Sequence, residues 1–491
     1  MPNKELSISF HSITTLLLCV IILAYAPQAL TSSRQLPNVS TQMENPEFWI
    51  KKIENPNRLL LTTEEIQEMN EENLKKQELY LCKVKDLKEE WDRDEIFALL
   101  KEDWVGFGQA EEVRYGRNGL PHRESFWKEI KNNLNQEALK EKIQIQFGLI
   151  VKQTDIRVFP TNEISMTTPS NYEFDRFQHS SISPGSPIGI YHFSKDRFWA
   201  YVQTPFIRGW VRMTDLAIAK GKSEVLDYEE AKERLLVTGN LVHVFGSPSL
   251  QEIIFLAQMG AAFPILDLPR TSPAPSRGRA NAVQGLPDPS GMIGPYYVIK
   301  VPFREIDGKL TFRKAYIPED EDIHRGFLPY TQKNVAQQAF KMLHQPYGWG
   351  EMFGGRDCSR FIMDIFATFG ILMPRNSKLQ ARIGIPMGQV EGRTAREKEK
   401  ILDRAVPLAT LLRLPGHIML YLGKEKRKYY VIHSIWGVQR AGWFGPSLEK
   451  IGRTVISDLS LGKSGPNGSL LDRLTEIQFI GSHLEVQKRI P

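Results

Sequence analysis

The stretch GGRDCSRFIMDIFATFG, residues 354–370, places a single cysteine, Cys358, directly before an apolar run. Large apolar side chains fill so much of this run that it predicts a helix with most of its surface buried. Gly370 follows the last of them, as is typical of a helix end. We call the predicted helix the cysteine helix, with Cys358 in its first turn. The large apolar residues of the run are Phe361, Ile362, Ile365, Phe366 and Phe369.

Cys358 has two interpretations. A helix N-terminus presents unpaired N–H groups and a partial positive charge, and both stabilise a thiolate. The position therefore predicts a lowered pKa for the Cys358 thiol and a nucleophilic role. A cysteine beside an apolar helix is, however, most often a packed side chain. The position alone does not decide between catalysis and packing.

Two of the ten histidines lie where a catalytic base is expected. His417 follows a Pro-Gly turn and opens the apolar strand HIMLYLG, and His433 lies in the next strand, YYVIHSIWG. A hairpin of these strands would bring both imidazoles to one edge of a sheet on which the cysteine helix packs. A nucleophile, a base and an orienting group would then lie together. Packing within the hairpin is the alternative for both histidines.

A zinc site is the rival interpretation of Cys358, His417 and His433, because all three are zinc ligands. No short ligand pair such as C-x-x-C or H-x-x-x-H accompanies them, and the sequence contains no P-loop and no dinucleotide-binding motif. We therefore expect no metal and no organic cofactor.

The composition is that of an ordinary globular protein. The chain has 491 residues, of which 41% are hydrophobic and 24% are charged, and this length allows about three or four domains. The net charge of +6 suits an anionic polymer as a partner. It is too small to indicate nucleic acid binding, which we do not expect.

The first 30 residues predict a signal peptide and export to the periplasm, the cell envelope or the medium. Lys4 precedes the apolar segment ITTLLLCVIILAYA, residues 13–26, which is short for a membrane span and typical of a secretory signal. Small residues at positions 24 and 26 suit cleavage, whereas Pro27 disfavours it at that bond. A membrane tether through an uncleaved segment is the alternative. Lipid attachment at Cys19 is disfavoured by the bulky residue before it.

Cysteine usage excludes a disulfide framework. After signal cleavage only Cys82 and Cys358 would remain, which allows at most one disulfide. If Cys358 acts as a thiolate, Cys82 should be unpaired.

Changes of composition divide the chain into segments. Residues 31–146 are charge-rich with a helical pattern, including a capping box at Thr62 and Glu65, and are interpreted as a solvated helical segment. Residues 147–219 contain short β-rich runs between turn residues, which predicts a small barrel or sandwich.

A second β-rich block, residues 220–326, begins with a predicted short helix near 228–235 and is interrupted by a Pro-, Gly- and Ser-rich loop, residues 268–295. Residues 327–491 place helices ahead of three strand-like runs, which is an α+β order.

Four motifs, in order, resemble those of the NlpC family of cell-wall cysteine peptidases. PYGWGEMFGGRDCSRF, residues 346–361, is similar to the family's Tyr-x-Trp-Gly stretch, loop and Asp-Cys-Ser at a helix start. GHIMLYLG resembles its Gly-His strand, and VIHS its third polar residue. PRNSKLQ, residues 374–380, resembles its Pro-Arg-Asp-Ser loop, with Asn376 in place of the usual acid.

The upstream segments resemble multidomain NlpC members, so the resemblance covers nearly the whole mature chain. It implies a multidomain α+β fold. A papain-like cysteine peptidase domain, with a helix packed on an antiparallel sheet, follows an N-terminal helical clip and two small β-barrel domains of the bacterial SH3-like type.

The resemblance also implies the catalytic roles. Cys358 would be the nucleophile and His417 its base, later the acid for the leaving amine. His433 would orient His417. The backbone N–H of Cys358 and the side chain of Tyr347 would stabilise the oxyanion.

Five further residues are implied to shape the substrate pocket. Asp357, Ser359, Asn376 and Ser377 would contact the D-glutamyl–diamino acid segment, and Trp349 would pack near it. The change to Asn376 removes a carboxylate that would pair with an ammonium group.

The implied activity is hydrolysis of the γ-D-glutamyl–L-diamino acid bond, with diaminopimelate as the diamino acid, in peptidoglycan stem peptides or muropeptides. A monomer would act through an acyl-enzyme. In related multidomain enzymes the first SH3-like domain walls off the active site and favours a free N-terminal L-alanine. Here the turn PFIRGW, residues 205–210, is the candidate contact. A non-catalytic peptidoglycan-binding protein and a papain-like amidase or acyltransferase remain alternatives.

Overall fold

The computed structural model describes residues 35–108, 112–267, 295–442 and 445–482. The predicted signal peptide or tether, residues 1–30, and nearly all of the predicted loop 268–295 lie outside the described residues. Within the described ranges, no helix is long and apolar enough to cross a membrane. The boundaries assigned to the domains from the sequence remain predictions.

The N-terminal part is helical, as predicted. The Thr62 side chain accepts a hydrogen bond from the Glu65 N–H, and the Glu65 carboxylate accepts one from the Thr62 N–H, so the expected capping box begins the second helix. A short strand, β1 (Glu90–Asp92), pairs with β2 (Lys142–Gln144). The helices are Pro46–Ile50, Thr63–Leu74, Arg93–Phe107 and Glu124–Asn133.

This helical segment is less solvated than the sequence suggested, because it packs on the other domains. Trp49 is 1% exposed, and its ring lies 5.4 Å from that of Tyr430 in the C-terminal sheet. The Asn70 amide donates to the Gly370 carbonyl and accepts from the Leu372 N–H, at 2.8 and 2.9 Å. The helical segment therefore binds the chain at the end of the cysteine helix through hydrogen bonds.

The first β-rich block forms a seven-stranded antiparallel sheet with the order β5-β4-β8-β7-β6-β3-β9. Its strands are short and mostly buried, as the apolar runs predicted. Trp210 and Tyr201 are fully buried in its core, together with Trp127 from the helical segment. The strands are β3 (Gln146–Ile150), β4 (Thr154–Arg157), β5 (Gln178–Ile182), β6 (Pro187–Phe193), β7 (Trp199–Gln203), β8 (Arg208–Arg212) and β9 (Leu216–Ile218).

The second β-rich block is also a seven-stranded antiparallel sheet, with the order β12-β11-β15-β14-β13-β10-β16. The connecting helix is Lys222–Glu229 and not 228–235, because the apolar run after it pairs as β10 with two other strands. The strands are β10 (Arg234–Val237), β11 (Leu241–Phe245), β12 (Ile253–Gln258), β13 (Ala262–Asp267), β14 (Tyr296–Arg304), β15 (Leu310–Pro318) and β16 (Ile323–Arg325).

The C-terminal part has the predicted α+β architecture. Its antiparallel sheet has the order β17-β22-β18-β19-β20-β21, and the cysteine helix, Cys358–Ala367, packs on β19 and β20. The strands are β17 (Ile385–Pro386), β18 (Thr410–Leu414), β19 (His417–Glu425), β20 (Lys428–Gly442), β21 (Gly445–Asp458) and β22 (Glu476–Phe479). The other helices are Gln332–Lys341, Ser377–Gln380, Ala395–Leu402 and Leu470–Arg473.

The cysteine helix is buried on nearly all sides, and its predicted end is confirmed. All five large apolar residues of the run are at most 1% exposed. Gly370 adopts φ of +76°, a left-handed conformation that glycine tolerates without the steric penalty of a side chain. The helix is therefore a rigid support that holds its first residue against the sheet.

Candidate active site

Cys358 is the first residue of the cysteine helix, as predicted. The Asp357 side chain caps the helix by accepting a hydrogen bond from the Arg360 N–H at 2.8 Å. The Ile418 N–H hydrogen-bonds the Cys358 sulfur, and Ile418 directly follows His417 at the start of β19. The thiol and the start of the histidine strand therefore meet, although the two segments lie about 60 positions apart in the sequence.

The predicted lowering of the Cys358 pKa is not what the structure supports. Burial and, to a smaller extent, the Asp357 carboxylate raise the pKa of the thiol to about 12, against the lowering effects of the Ile418 N–H, Arg375 and the Ser359 N–H. Cys358 is 7% exposed. The loss of hydration therefore outweighs the helix terminus, and the resting group is a thiol that needs a base.

The two histidines form a pair on neighbouring strands. His417 Nε2 lies 2.7 Å from His433 Nδ1, and His433 Nε2 lies 3.0 Å from the Ser457 hydroxyl. His433 is fully buried. Because Nε2 of His417 is engaged by His433, Nδ1 is its free nitrogen. Ser457, on β21, was not expected from the sequence.

Both imidazoles are neutral near neutral pH. Burial lowers the pKa of His417 to about 3, assisted by the positive charge of Arg473 and opposed by Asp357. Burial, and then the proximity of His417, lower the pKa of His433 well below its usual range. A neutral imidazole has one nitrogen free to accept a proton, so His417 is in the form that a general base requires.

The buried histidines predict that acid destabilises the folded protein. An unfolded histidine takes up a proton near pH 6.5, whereas folded His417 does so only near pH 3. Between these values the unfolded state binds more protons, so the free energy of unfolding must rise with pH. Urea unfolding at about pH 4 and about pH 7 should show this rise, and His417→Gln should reduce it. An equal rise in the variant would contradict the assignment.

Tyr347 lies beside Cys358 in the structure. Burial raises the pKa of its hydroxyl strongly, and the negative charge of Asp357 raises it further. The phenol therefore stays protonated and can donate a hydrogen bond. Its ring is held by Trp436 and Phe174, with centroids 5.9 and 6.3 Å away.

Asp357 and Ser359 are held in place by a residue that the sequence reasoning missed. Arg375 contacts both Asp357 carboxylate oxygens, at 3.1 and 2.7 Å, and donates to the Ser359 hydroxyl at 2.8 Å. Burial disfavours the charged form of Asp357, but Arg375 outweighs it and the pKa is lowered. Arg375 lies within the PRNS motif, and a basic residue in that motif was the available signal.

The remaining predicted pocket residues lie close by. The Asn376 side chain caps the helix Ser377–Gln380 by accepting from the Leu379 N–H at 3.0 Å. The Trp349 indole N–H donates to the Asp175 carbonyl at 3.1 Å. These contacts hold the PRNS loop and the Tyr-x-Trp-Gly segment in defined positions.

A cavity of about 450 Å³ opens over Cys358. Nine site residues were predicted, and seven of them line this cavity. The two that do not are His417 and His433, although Gly416, next to His417, does line it. The seven are Tyr347, Trp349, Asp357, Cys358, Ser359, Asn376 and Ser377.

Two other parts of the chain complete the cavity. Ile207 and Arg208 come from the turn 205–210, where a contact was expected, and His179 comes from β5. The helical segment contributes four more residues, which the interpretation as a solvated segment did not anticipate. They are Tyr80, Glu102, Asp103 and Phe107.

The loop before the cysteine helix is bound to the first β-sheet through Glu351. Its buried carboxylate accepts hydrogen bonds from the Ser180 hydroxyl and from the N–H and hydroxyl of Ser181, at 2.7 to 2.8 Å, and from Arg360 at 2.9 Å. The first sheet therefore supports the loop that leads into Cys358 and also lines the cavity.

Within the described ranges, no group of three or more His, Cys, Asp or Glu side chains is arranged so that it could hold a metal ion. Cys82 and Cys358 are both free thiols.

Comparisons with known proteins agree with this architecture. Residues 344–435 match the model of the NlpC/P60 family, and residues 166–212 match an SH3 domain of the SH3b1 type. A solved NlpC/P60 endopeptidase from Photobacterium damselae subsp. piscicida is 19% identical, with a TM-score of 0.67 over 88% of this chain and 96% of its own. An NlpC/P60 family protein from Bacillus cereus is 16% identical, with a TM-score of 0.40 over 62% and 83%. Curated protein sequences gave no match.

The likeness to the Photobacterium structure shows that the fold is shared along most of both chains. The two family matches fall on the predicted peptidase part and on the first β-sheet, and the predicted resemblance is confirmed. The chain therefore has a papain-like domain whose residues 344–435 match the NlpC/P60 family model, preceded by residues 166–212, which match the model of an SH3 domain of the SH3b1 type.

Proposed function

We propose that this protein is an exported cysteine endopeptidase that hydrolyses the γ-D-glutamyl–diamino acid bond of peptidoglycan stem peptides. The observation that supports it most is the placement of Cys358 at a helix start, against the strand whose first residue, His417, is paired at 2.7 Å with His433. A buried thiol at Cys358, a neutral base at His417 and an orienting imidazole at His433 together suit acyl transfer.

Catalysis begins when Nδ1 of His417 takes the proton of the Cys358 thiol. The thiolate attacks the γ-carbonyl carbon of D-glutamate, and the carbonyl oxygen becomes an oxyanion. The Cys358 N–H and the Tyr347 hydroxyl donate hydrogen bonds to that oxyanion.

Collapse of this intermediate breaks the carbon–nitrogen bond, and protonated His417 gives its proton to the leaving amine. The product is a γ-glutamyl thioester on Cys358. Water then attacks the thioester carbon, with His417 as the base again, and the carbon–sulfur bond breaks to regenerate the thiol. The chain's own residues supply each proton transfer.

An exposed acidic side chain in the lining of the cavity suits a short peptide with a free amine. Asn376 has no charge, and its side-chain oxygen already caps a helix. Glu102, whose side chain is 57% exposed, lines the same cavity and is paired with Arg208 at 2.8 Å. We assign to Glu102 the contact with the substrate ammonium group that an acid at position 376 would otherwise make.

Glu102→Gln should therefore raise KM for L-Ala-γ-D-Glu-diaminopimelate about tenfold, because a charge-assisted hydrogen bond is worth roughly 1.5–3 kcal/mol. The value of kcat should change little. Initial rates on the free and the N-acetylated tripeptide measure this, and the acetylated peptide is the control because it has no ammonium group. A variant that affects both peptides equally would refute the contact.

Product analysis tests the proposed function. Wild type and Cys358→Ala are incubated with L-Ala-γ-D-Glu-diaminopimelate, and products are identified by mass spectrometry. Wild type should release L-Ala-D-Glu and diaminopimelate, and the variant should release neither. The proposal fails if neither protein cleaves the peptide or if both cleave it equally. A product found only when an amine acceptor is added would indicate a transferase.

A further inference from the structure

We infer that Ser457 is a positioning residue that selects the tautomer of His433 and thereby makes Nδ1 of His417 the proton-accepting nitrogen. The inference rests on the proposed function for its catalytic consequence. The contact itself is independent of that function: His433 Nε2 lies 3.0 Å from the Ser457 hydroxyl, and both residues are at most 1% exposed.

The sheet register explains why the two side chains meet. His433 on β20 pairs with Val455 on β21, and Val431 pairs with Ser457. Residues two apart on a strand point to the same face, so His433 and Ser457 are diagonal neighbours on one face of the sheet. The main chain thus holds the hydroxyl beside the ring.

Proton counting leaves two arrangements for the chain His417–His433–Ser457. Each neutral imidazole has one N–H, and the 2.7 Å contact between His417 Nε2 and His433 Nδ1 needs one proton. In the first arrangement His417 Nε2 donates, so His433 holds its proton on Nε2 and donates to Ser457. In the second, His433 Nδ1 donates to His417, and His433 Nε2 accepts from Ser457.

Only the first arrangement gives a base. It leaves Nδ1 of His417 unprotonated, as proton transfer from the Cys358 thiol requires, whereas the second puts a proton there and blocks transfer. In the first, Ser457 acts as an acceptor and its own proton must point elsewhere. Ser457 also lines a cavity of about 380 Å³ together with Asp458 and Ser460.

Removing the Ser457 hydroxyl should favour the second arrangement of protons over the first. Without Ser457 Oγ, an N–H on His433 Nε2 would be a buried donor without a partner, which is costly. The ring would place its proton on Nδ1 instead, and the proton on His417 would move to Nδ1. We therefore expect kcat of Ser457→Ala to fall about 10- to 100-fold with KM within about twofold, because substrate contacts are unchanged.

The experiment combines kinetics with nitrogen-15 NMR of the imidazoles. Ser457→Thr keeps the hydroxyl and should retain kcat within about threefold of wild type. Thr454→Val is the matched control: it removes a buried hydroxyl from the same strand, one that has no hydrogen-bond partner among the described residues. Its kcat should equal that of wild type. The NMR spectra should show the Nε2–H tautomer of His433 in wild type and Ser457→Thr, and the Nδ1–H tautomer in Ser457→Ala.

The inference is overturned if Ser457→Ala keeps kcat within twofold, if its His433 tautomer is that of wild type, or if the threonine or Thr454→Val variant is equally impaired. The NMR comparison needs no turnover. If wild type fails to cleave the tripeptide while the tautomer changes as expected, the proposed function fails and the positioning of His433 stands.

Discussion

Cys358→Ala is expected to lower kcat by more than about 10³-fold, because it removes the thiol that forms the proposed acyl-enzyme. The substitution removes only one sulfur atom, from a residue that is 7% exposed. The fold should therefore persist, and the urea unfolding midpoint should change little. Initial rates on the tripeptide, with circular dichroism to establish folding, measure both quantities.

Cys82→Ala is the matched control for this substitution. Cys82 is a free, partly buried thiol whose pKa is raised to about 12, chiefly by burial. It lies next to the first β-sheet, where its N–H donates to the Pro205 carbonyl, and it does not line the catalytic cavity. Full activity in Cys82→Ala together with loss in Cys358→Ala assigns the chemistry to one thiol. Equal loss in both would refute that assignment.

Glu351→Ala is expected to cost about 3–5 kcal/mol of unfolding free energy, because it leaves Arg360 with one buried anionic partner fewer and removes the acceptor of three further hydrogen bonds. The Glu351 side chain is 0% exposed. Activity should be lost as well, since this carboxylate holds the loop that leads into Cys358. Denaturant unfolding monitored by tryptophan fluorescence measures the change in free energy.

The backbone around Glu351 adds to this expectation. Glu351 and Phe353 both adopt left-handed φ values, of +66° and +58°. Residues other than glycine rarely adopt this backbone conformation without support from their surroundings. The contacts of Glu351 with β5 provide that support. The control is Glu124→Ala, which breaks an exposed ion pair with Lys128 and should cost less than about 1 kcal/mol. Similar losses in the two variants would contradict the account.

The parts of the site that the sequence predicted are those set by local pattern. The burial of the cysteine helix follows from its apolar residues, and its start and end follow from Asp357 and Gly370. The two strands that carry His417 and His433 are predicted by alternating and continuous apolar runs in the sequence. Within one hairpin, His417 and His433 are only 16 positions apart, so a sequence pattern is sufficient to bring them together.

The parts that were missed depend on contacts between distant segments. Arg375 donates to the Ser180 hydroxyl across 195 positions, and Arg208 pairs with Glu102 across 106. No local periodicity indicates such pairs. The role of the helical segment in the cavity was missed for the same reason, because its charge-rich composition resembles that of a solvated surface.

The prediction of a lowered Cys358 pKa was wrong for a different reason. The helix terminus was visible in the sequence, but the depth of burial was not. Desolvation and the adjacent Asp357 together raise the pKa. Similarly, the helix expected near 228–235 lies earlier because Leu235 and Leu236 pair as a strand with β13 and β16, which the sequence alone did not indicate.

Hydrolysis of L-Ala-γ-D-Glu-diaminopimelate in ¹⁸O-labelled water tests the central claim most directly. Tandem mass spectrometry of the products locates the bond that is broken and the origin of the new oxygen. Attack by Cys358 followed by hydrolysis of the thioester predicts one ¹⁸O atom in the γ-carboxylate of L-Ala-D-Glu, in wild type and not in Cys358→Ala. Label in the carboxylate of L-alanine, or a γ-glutamyl product that contains no label, would contradict it.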